Sequence, residues 1–164
     1  MADMMADMSD SAAAVATLAS IPGQLDTLVE RGAELTPRTS AGANEDWTPS
    51  EILGHLCDSA RYWGARMYRV AHEDEPELPF FDENDMVQLA AYRYRPLAPL
   101  LRQFHLIAED NVALLRSLPP EAWDRAGRHA TRGRITLREI AAVEADHEQN
   151  HVRQLRAALG LSGE

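Results

Sequence analysis

A stripe of apolar residues bounded by proline limits most strongly what this chain can fold into. Leu97, Leu100, Leu101, Phe104, Ile107, Ala108, Asn111, Leu114, Leu115 and Leu118 recur at helical spacing. Pro96 and Pro99 belong near the first turn of that stretch, and Pro119-Pro120 ends it. A helix of about six turns with one apolar side has to bury that side against something else.

Three further stretches offer partners. Residues 11–34 are mostly Ala, Leu, Val and small polar residues, and read as helix with a break or kink at Pro22-Gly23. Ser20 is placed to cap the second segment, whose stripe is Leu25, Leu28 and Val29. Thr48-Pro49-Ser50-Glu51 is a capping box with proline at the first helical position, and predicts a helix to about Ala71. Trp47 before it is set to staple onto Ile52. Thr136-Leu137-Arg138-Glu139 is a second capping box, opening a helix that runs to Leu159 with Gly160 as its terminator.

The connections are less regular. Residues 38–46 read as a polar loop. Residues 72–85, acidic and containing Pro76 and Pro79, read as a long crossover or a lid. Residues 86–94 form a short helix and residues 121–124 a single turn. Residues 125–135 are a basic loop or small hairpin. No convincing strand pair and no internal repeat is visible. Four long helices in 164 residues predict an all-α fold, a four-helix bundle. Residues 1–10 are expected to be a disordered start and residues 11–164 one domain.

Charge and composition narrow the partners. The net charge of −10 argues against nucleic acid or an anionic membrane, both of which require a basic footprint. The first eight residues lack the basic and apolar regions of a signal peptide, and no run approaches 18 apolar residues, so no membrane span is expected. All sixteen basic residues are arginine, which excludes Schiff-base and P-loop lysine chemistry. The lone Cys57 cannot form an internal disulfide, and a reducing, cytoplasmic location fits.

The chemistry-bearing residues lie on the second and last helices. His147 and His151 are four residues apart, on one face of one helix. Two imidazoles hold a metal weakly, but His55 sits on the inner face of the second helix. If the two helices pack side by side, three imidazoles converge with no fourth protein ligand, which is the pattern of an open, catalytic metal site. Imidazole suits zinc, nickel, iron and copper alike. Asp58, one turn beyond His55, and Glu144, three residues before His147, are the candidate acids and bases. His72, His105 and His129 read as structural or surface histidines, and Cys57 as a buried, inert thiol. The arginines at 125, 128, 132 and 134 read as a solvated loop, or as a grip for an anionic group.

Two sets of residues resemble a known family. Trp47-Thr48-Pro49-Ser50-Glu51 followed by His55-Leu56-Cys57-Asp58 is similar to the second-helix signature of the DinB/YfiT-like superfamily. So is the closing set of Gly133, Thr136-Leu137-Arg138-Glu139, Asp146-His147, His151 and Gln154-Leu155, with Trp123 and Arg125 before it. The resemblance extends over about residues 25–159. It implies a bundle with long crossover connections, a divalent metal (zinc, nickel or iron) on His55, His147 and His151, and often a homodimer. It also implies an enzyme acting on a small molecule. Its expected chemistry is S-transfer or isomerisation with a low-molecular-weight thiol, or hydrolysis. The alternative is a non-catalytic, metal-stabilised bundle acting as a stress-related interaction protein.

Overall fold

The computed structural model describes residues 2–32, 47–78 and 83–161. The loop expected over residues 38–46, and Pro79, lie outside them. The elements are α1 (Ala2–Gly32), α2 (Pro49–His72), β1 (Glu77–Leu78), α3 (Glu83–Ala90), α4 (Leu97–Ser117), β2 (Ala126–His129), β3 (Gly133–Thr136) and α5 (Leu137–Ala158). Short 3₁₀ turns stand at Tyr92–Tyr94 and Pro120–Asp124.

α1, α2, α4 and α5 form the four-helix bundle. α1 and α2 each pack on both α4 and α5, so the two helices that follow one another in sequence lie across a diagonal. The first connection is therefore a crossover and not a tight hairpin. One core cluster joins Ile21, Leu25, Leu56, Phe104, Val152 and Leu155. A second, nearer the sheet, joins Leu18, Met67, Leu115, Leu137 and Ile140. These residues come from the stripes read in the sequence.

Both capping boxes form. Thr48 Oγ1 accepts from the Glu51 backbone, while the Glu51 carboxylate accepts from the Thr48 N–H at 2.8 Å. Thr136 and Glu139 repeat the arrangement at the start of α5, with the return bond at 2.7 Å. Gly160, with φ 75°, ends α5 in the left-handed region that glycine adopts without penalty. Trp47 is buried in the same cluster as Ile52.

Four expectations are corrected. The stretch expected to be disordered is helical over residues 2–10. Those residues contain neither glycine nor proline, and α1 begins at Ala2. No break occurs at Pro22-Gly23. Pro22 deprives the Leu18 carbonyl of its donor, but Ile21 and Leu25 on either side are fully buried, and that packing carries the helix through. Ser20 is not a cap; its hydroxyl donates to the Thr17 carbonyl at 2.7 Å. Finally, Ser9–Gly32 is long and apolar enough to cross a membrane by length and composition, with mean hydropathy 1.2. In this fold its apolar side is the inner face of α1.

Strands also form where no convincing pair was read. β2 and β3 make an antiparallel hairpin, with Ala126 opposite Thr136 and His129 opposite Gly133, and β1 joins β2 in parallel. Gly133, with φ 71°, closes the three-residue loop. The sheet is tied to the end of α2 by Arg125, whose Nε donates to the Val70 carbonyl at 2.9 Å. That carbonyl is one of those a helix end leaves without an internal partner.

The α2–α4 crossing depends on a glycine. A Cβ at Gly64 would collide with the side-chain amide of Asn111, whose Nδ2 donates to the Ala60 carbonyl at 2.8 Å. Alanine gains roughly 1 kcal/mol over glycine inside a helix, but overpacking costs about 1–3 kcal/mol and the Asn111 bond is lost as well. Gly64→Ala is therefore expected to lower stability by roughly 1–2 kcal/mol. A lower urea midpoint at unchanged slope checks this; an unchanged or higher midpoint refutes it.

Candidate metal centre

α2 and α5 pack side by side, and their inner faces bring His55, His147 and His151 together. His55 and His151 are buried and His147 is half-buried. Their ligand nitrogens all lie within 4.8 Å of one another, and the Nε2 atoms of His55 and His147 are 3.0 Å apart. Imidazole nitrogens at 2.0–2.1 Å from one tetrahedral cation stand roughly 3.3 Å from each other, so modest rotation of the rings suits the set to one ion. His151 Nδ1 stands 2.7 Å from Gln154 Oε1. As the donor in that bond, Nδ1 carries the proton and the Nε2 lone pair is left for a ligand. Trp47 packs on both buried rings, at 5.1 Å from His55 and 6.3 Å from His151 between centroids.

The electrostatics favour a cation. Burial is the main cause that pushes His55 down to about 2, with the other two imidazoles adding to it. Burial likewise takes His147 down to about 4 and lowers His151. All three rings are uncharged at neutral pH and present lone pairs. Together they satisfy the chemistry of a divalent site, so the residues present fit the metal.

The candidate acids are placed differently from each other. Asp58 lines the cavity beside the triad, where its Oδ1 pairs with Arg61 at 3.1 Å and its Oδ2 accepts from the Tyr92 hydroxyl at 2.8 Å. Glu144 is completely buried inside the bundle, with Oε2 3.5 Å from Ser59 Oγ. One turn on, Glu148 is buried beside it. Burial raises both carboxyls, Glu144 well above the usual range and Glu148 to about 8; Glu148 adds to the rise at Glu144, while a hydrogen bond from Glu144 partly offsets the rise at Glu148. The pair thus keeps at least one proton at neutral pH.

The sequence reading missed Glu148, though its spacing from Glu144 and His151 (four and three residues) places it on the same face of α5. It also missed Tyr92 and the inward position of His129. Cys57 is inert as expected. Its thiol donates to the Leu100 carbonyl at 3.3 Å, and burial pushes it up to about 12.

The cavity holds about 160 Å³. α2 provides one wall, running from His55 through Asp58, Ser59, Tyr62 and Trp63 to Arg66. Met86 of α3 closes one side, and His129, Thr131 and Arg132 of the β2–β3 hairpin close the other. The His129 ring lies parallel to Trp63, within 10°. Its Nδ1 accepts from the Thr131 backbone N–H at 3.3 Å, which leaves the ring proton on Nε2. Burial, then Arg66 and Arg132, lower the pKa of His129 and keep it uncharged.

Comparison with known proteins follows the same lines. Two proteins of Oceanobacillus iheyensis, provisionally named metal-dependent hydrolases, are 25% identical over 109 residues and 24% identical over 113. The matches take in 66% and 69% of this chain, but only 63% and 65% of the relatives' own length. Among solved structures, YfiT from Bacillus subtilis superposes with a TM-score of 0.77 at 23% identity, over 92% of this chain and 87% of that one. It is described as a probable metal-dependent hydrolase with an unusual four-helix bundle topology. A mycothiol-dependent maleylpyruvate isomerase follows, with a TM-score of 0.67 at 16% identity, over 94% of this chain and 61% of that one. At these identities the two structures establish the fold. The sequence profile of the DinB superfamily matches residues 9–155, so with its crossed bundle and histidine triad the chain belongs to the DinB superfamily.

Proposed function

We propose that this chain is a divalent-metal-dependent enzyme in which His55, His147 and His151 hold the cation. The observation that carries the reading is the convergence of three uncharged imidazoles beside a cavity, within 4.8 Å of one another. Among the described residues the triad stands without a carboxylate or thiolate completing a closed set of four, so the cation keeps positions for a small molecule. A divalent cation there lowers the pKa of a water or thiol that it binds, and so supplies a nucleophile at neutral pH. Zinc, nickel and iron all suit the donor set.

The chain's own residues do the rest. Gln154 fixes the tautomer of His151 by accepting a hydrogen bond from its Nδ1–H. Trp47 covers the rings and keeps water from two of them. Asp58, at the cavity wall and held by Tyr92, is the carboxylate nearest in sequence to His55 that also reaches the cavity, and we assign it proton transfer. Glu144, the other candidate acid, is sealed in the bundle, and we assign it no proton transfer. A low-molecular-weight thiol would give S-transfer or thiol-assisted isomerisation, a reading supported by the mycothiol-dependent neighbour. Water would give hydrolysis, supported by the name of the Oceanobacillus relatives. We also propose a homodimer in the cytoplasm.

The burial of His55 and His151 favours a second reading, that of a non-catalytic bundle stabilised by its metal. The two separate on activity: a screen of bacillithiol, mycothiol and glutathione against one chromogenic electrophile, with and without metal. For the site itself, His147→Ala is expected to abolish stoichiometric metal by elemental analysis and to leave the helical circular dichroism intact. Full metal content in that variant would falsify the assignment.

A further inference from the structure

Three arginines of the β2–β3 hairpin act as struts. Arg125 donates to the Val70 and Glu73 carbonyls, and Arg128 and Arg134 pair with Glu75. They fix the hairpin against the end of α2, and β1 pins the edge of β2, with Leu78 in register with His129. The side chain that this frame brings into the cavity wall is His129.

His129 is only 7% exposed, yet one of its ring nitrogens is unused. Nδ1 faces the Thr131 backbone N–H at 3.3 Å and the Thr131 hydroxyl at 3.2 Å. A backbone N–H can only donate, so Nδ1 accepts and the ring proton stands on Nε2. That N–H has no hydrogen-bond partner among the described residues. Thr131 holds one edge of the ring, and Trp63 lies parallel to it with centroids 6.3 Å apart. A histidine that served packing alone would turn its second nitrogen to a protein acceptor or to bulk solvent. A confined donor in a cavity wall is satisfied only by what enters the cavity.

Other polar groups of the wall are engaged. Asp58 is held by Arg61 and Tyr92, Ser59 stands against Glu144, and Thr131 is turned to His129. Around the donor the surface is flat and apolar, made by Trp63 and Tyr62 with the Met86 thioether. Trp63 follows His55 by eight residues on α2, a rise of roughly 12 Å. The donor therefore stands towards the end of the cavity away from the triad.

We propose that His129 is a specificity-determining residue of this cavity. Its Nε2–H binds a carbonyl oxygen, of a neutral carbonyl or of a carboxylate, on a small molecule whose flat apolar part lies along Trp63 and Tyr62. The ring is fixed before the ligand arrives, so little ordering is needed on binding. The hydrogen bond needs no cation, and the assignment stands apart from the metal-dependent reading above.

Acetophenone, benzoate and α-methylstyrene are planar molecules of one shape that carry C=O, a carboxylate and C=CH2. Their titration into chelator-treated and metal-loaded protein, followed by NMR, tests the proposal. The nitrogen-15 spectrum of His129 is expected to show Nε2 protonated and Nδ1 bare. The tighter-binding of the two oxygen compounds is expected to move the Nε2–H proton downfield, and tells a neutral carbonyl from a carboxylate. His129→Phe, which keeps a ring against Trp63, is expected to weaken that compound roughly three- to tenfold and to change α-methylstyrene less than twofold. His129→Gln, with an amide N–H near the place of Nε2, is expected to recover most of the loss. Arg132→Met removes the exposed guanidinium on the same wall, and is expected to leave acetophenone within twofold of the parent. A proton on Nδ1, no binding of either oxygen compound, equal losses for all three ligands in His129→Phe, or acetophenone binding that requires the metal overturns the proposal. Elemental analysis of the metal-loaded samples reads the triad separately. Stoichiometric metal without the His129 effect removes this site alone, and the His129 effect without bound metal removes the metal reading alone.

Discussion

Saturating the metal-free protein with its divalent cation is expected to raise the melting temperature by roughly 8–16 °C. A ligand that binds only the folded state stabilises by about 4 kcal/mol at a thousandfold excess over its dissociation constant. In a domain of this length each kcal/mol moves the midpoint by roughly 2–4 °C. The unfolded chain competes poorly, because His55 and His147 are 92 residues apart in sequence and meet only in the bundle. No proton has to leave first, since burial keeps all three rings neutral. His55→Ala is expected to erase most of the shift while its metal-free melting point stays near that of the parent. Scanning calorimetry with and without chelator checks both proteins. Identical midpoints for the parent in the two conditions would sink the triad as a metal site. A large fall with chelator, together with no thiol-dependent or hydrolytic activity that metal restores, would favour the non-catalytic bundle.

Glu148→Gln is expected to stabilise the metal-free protein at pH 8 by roughly 2–4 kcal/mol, and to leave it unchanged near pH 4. Burial raises the folded-state pKa of Glu148 from 4.5 to about 8. A group raised in this way contributes its full stability below the unfolded value and loses it as the pH rises towards the folded one. The unfolded chain gives up the proton first, so each step above pH 4.5 favours unfolding. An amide of the same shape has no proton to lose. Urea denaturation of both proteins at pH 4, 6 and 8 reads the difference. A variant that is less stable than its parent at pH 8 would show that the carboxyl is ionised and well paired. The histidines act in the opposite direction. Their folded values lie below 6.5, so their contribution is present above that pH and is lost as the pH falls through the acid range. Between pH 4.5 and 6.5 the two slopes oppose each other.

Above pH 4.5 Glu148 therefore weakens the fold beside the candidate metal centre. Natural proteins commonly keep such groups where function requires them. Glu144 was legible as a candidate acid from its spacing to His147, whereas Glu148 was not. Glu148 stands next to His147 in a run of polar residues, and looks like surface until the helical phase shared with Glu144 and His151 is drawn.

The triad itself was legible, because His55 and the His147–His151 pair each lie on a well-capped helix with an unambiguous inner face. Capping is local chemistry: Thr48 with Glu51 and Thr136 with Glu139 complete their bonds within four residues. The continuity of α1 through Pro22 was hard to read for the opposite reason. Its local cost is real, but Ile21 and Leu25 are buried against other helices, and tertiary packing outweighs it. Composition left loop and small hairpin open over residues 125–135, since four-residue strands carrying Arg128 and Arg134 opposite one another show no apolar alternation; the structure selects the hairpin. His129 became visible only once that hairpin placed it in the cavity wall.

The diagonal placement of α1 and α2 has a consequence for synthesis. Helices that pack as neighbours are separated by other elements along the chain, so no early pair of helices contains the whole site. A ribosome-bound chain extending only as far as α4 offers one imidazole of the three. The remaining two emerge on the last helix. Capture of a cation by the triad would thus wait for α5, and a bound cation would mark a molecule in which α5 has already docked between α1 and α2.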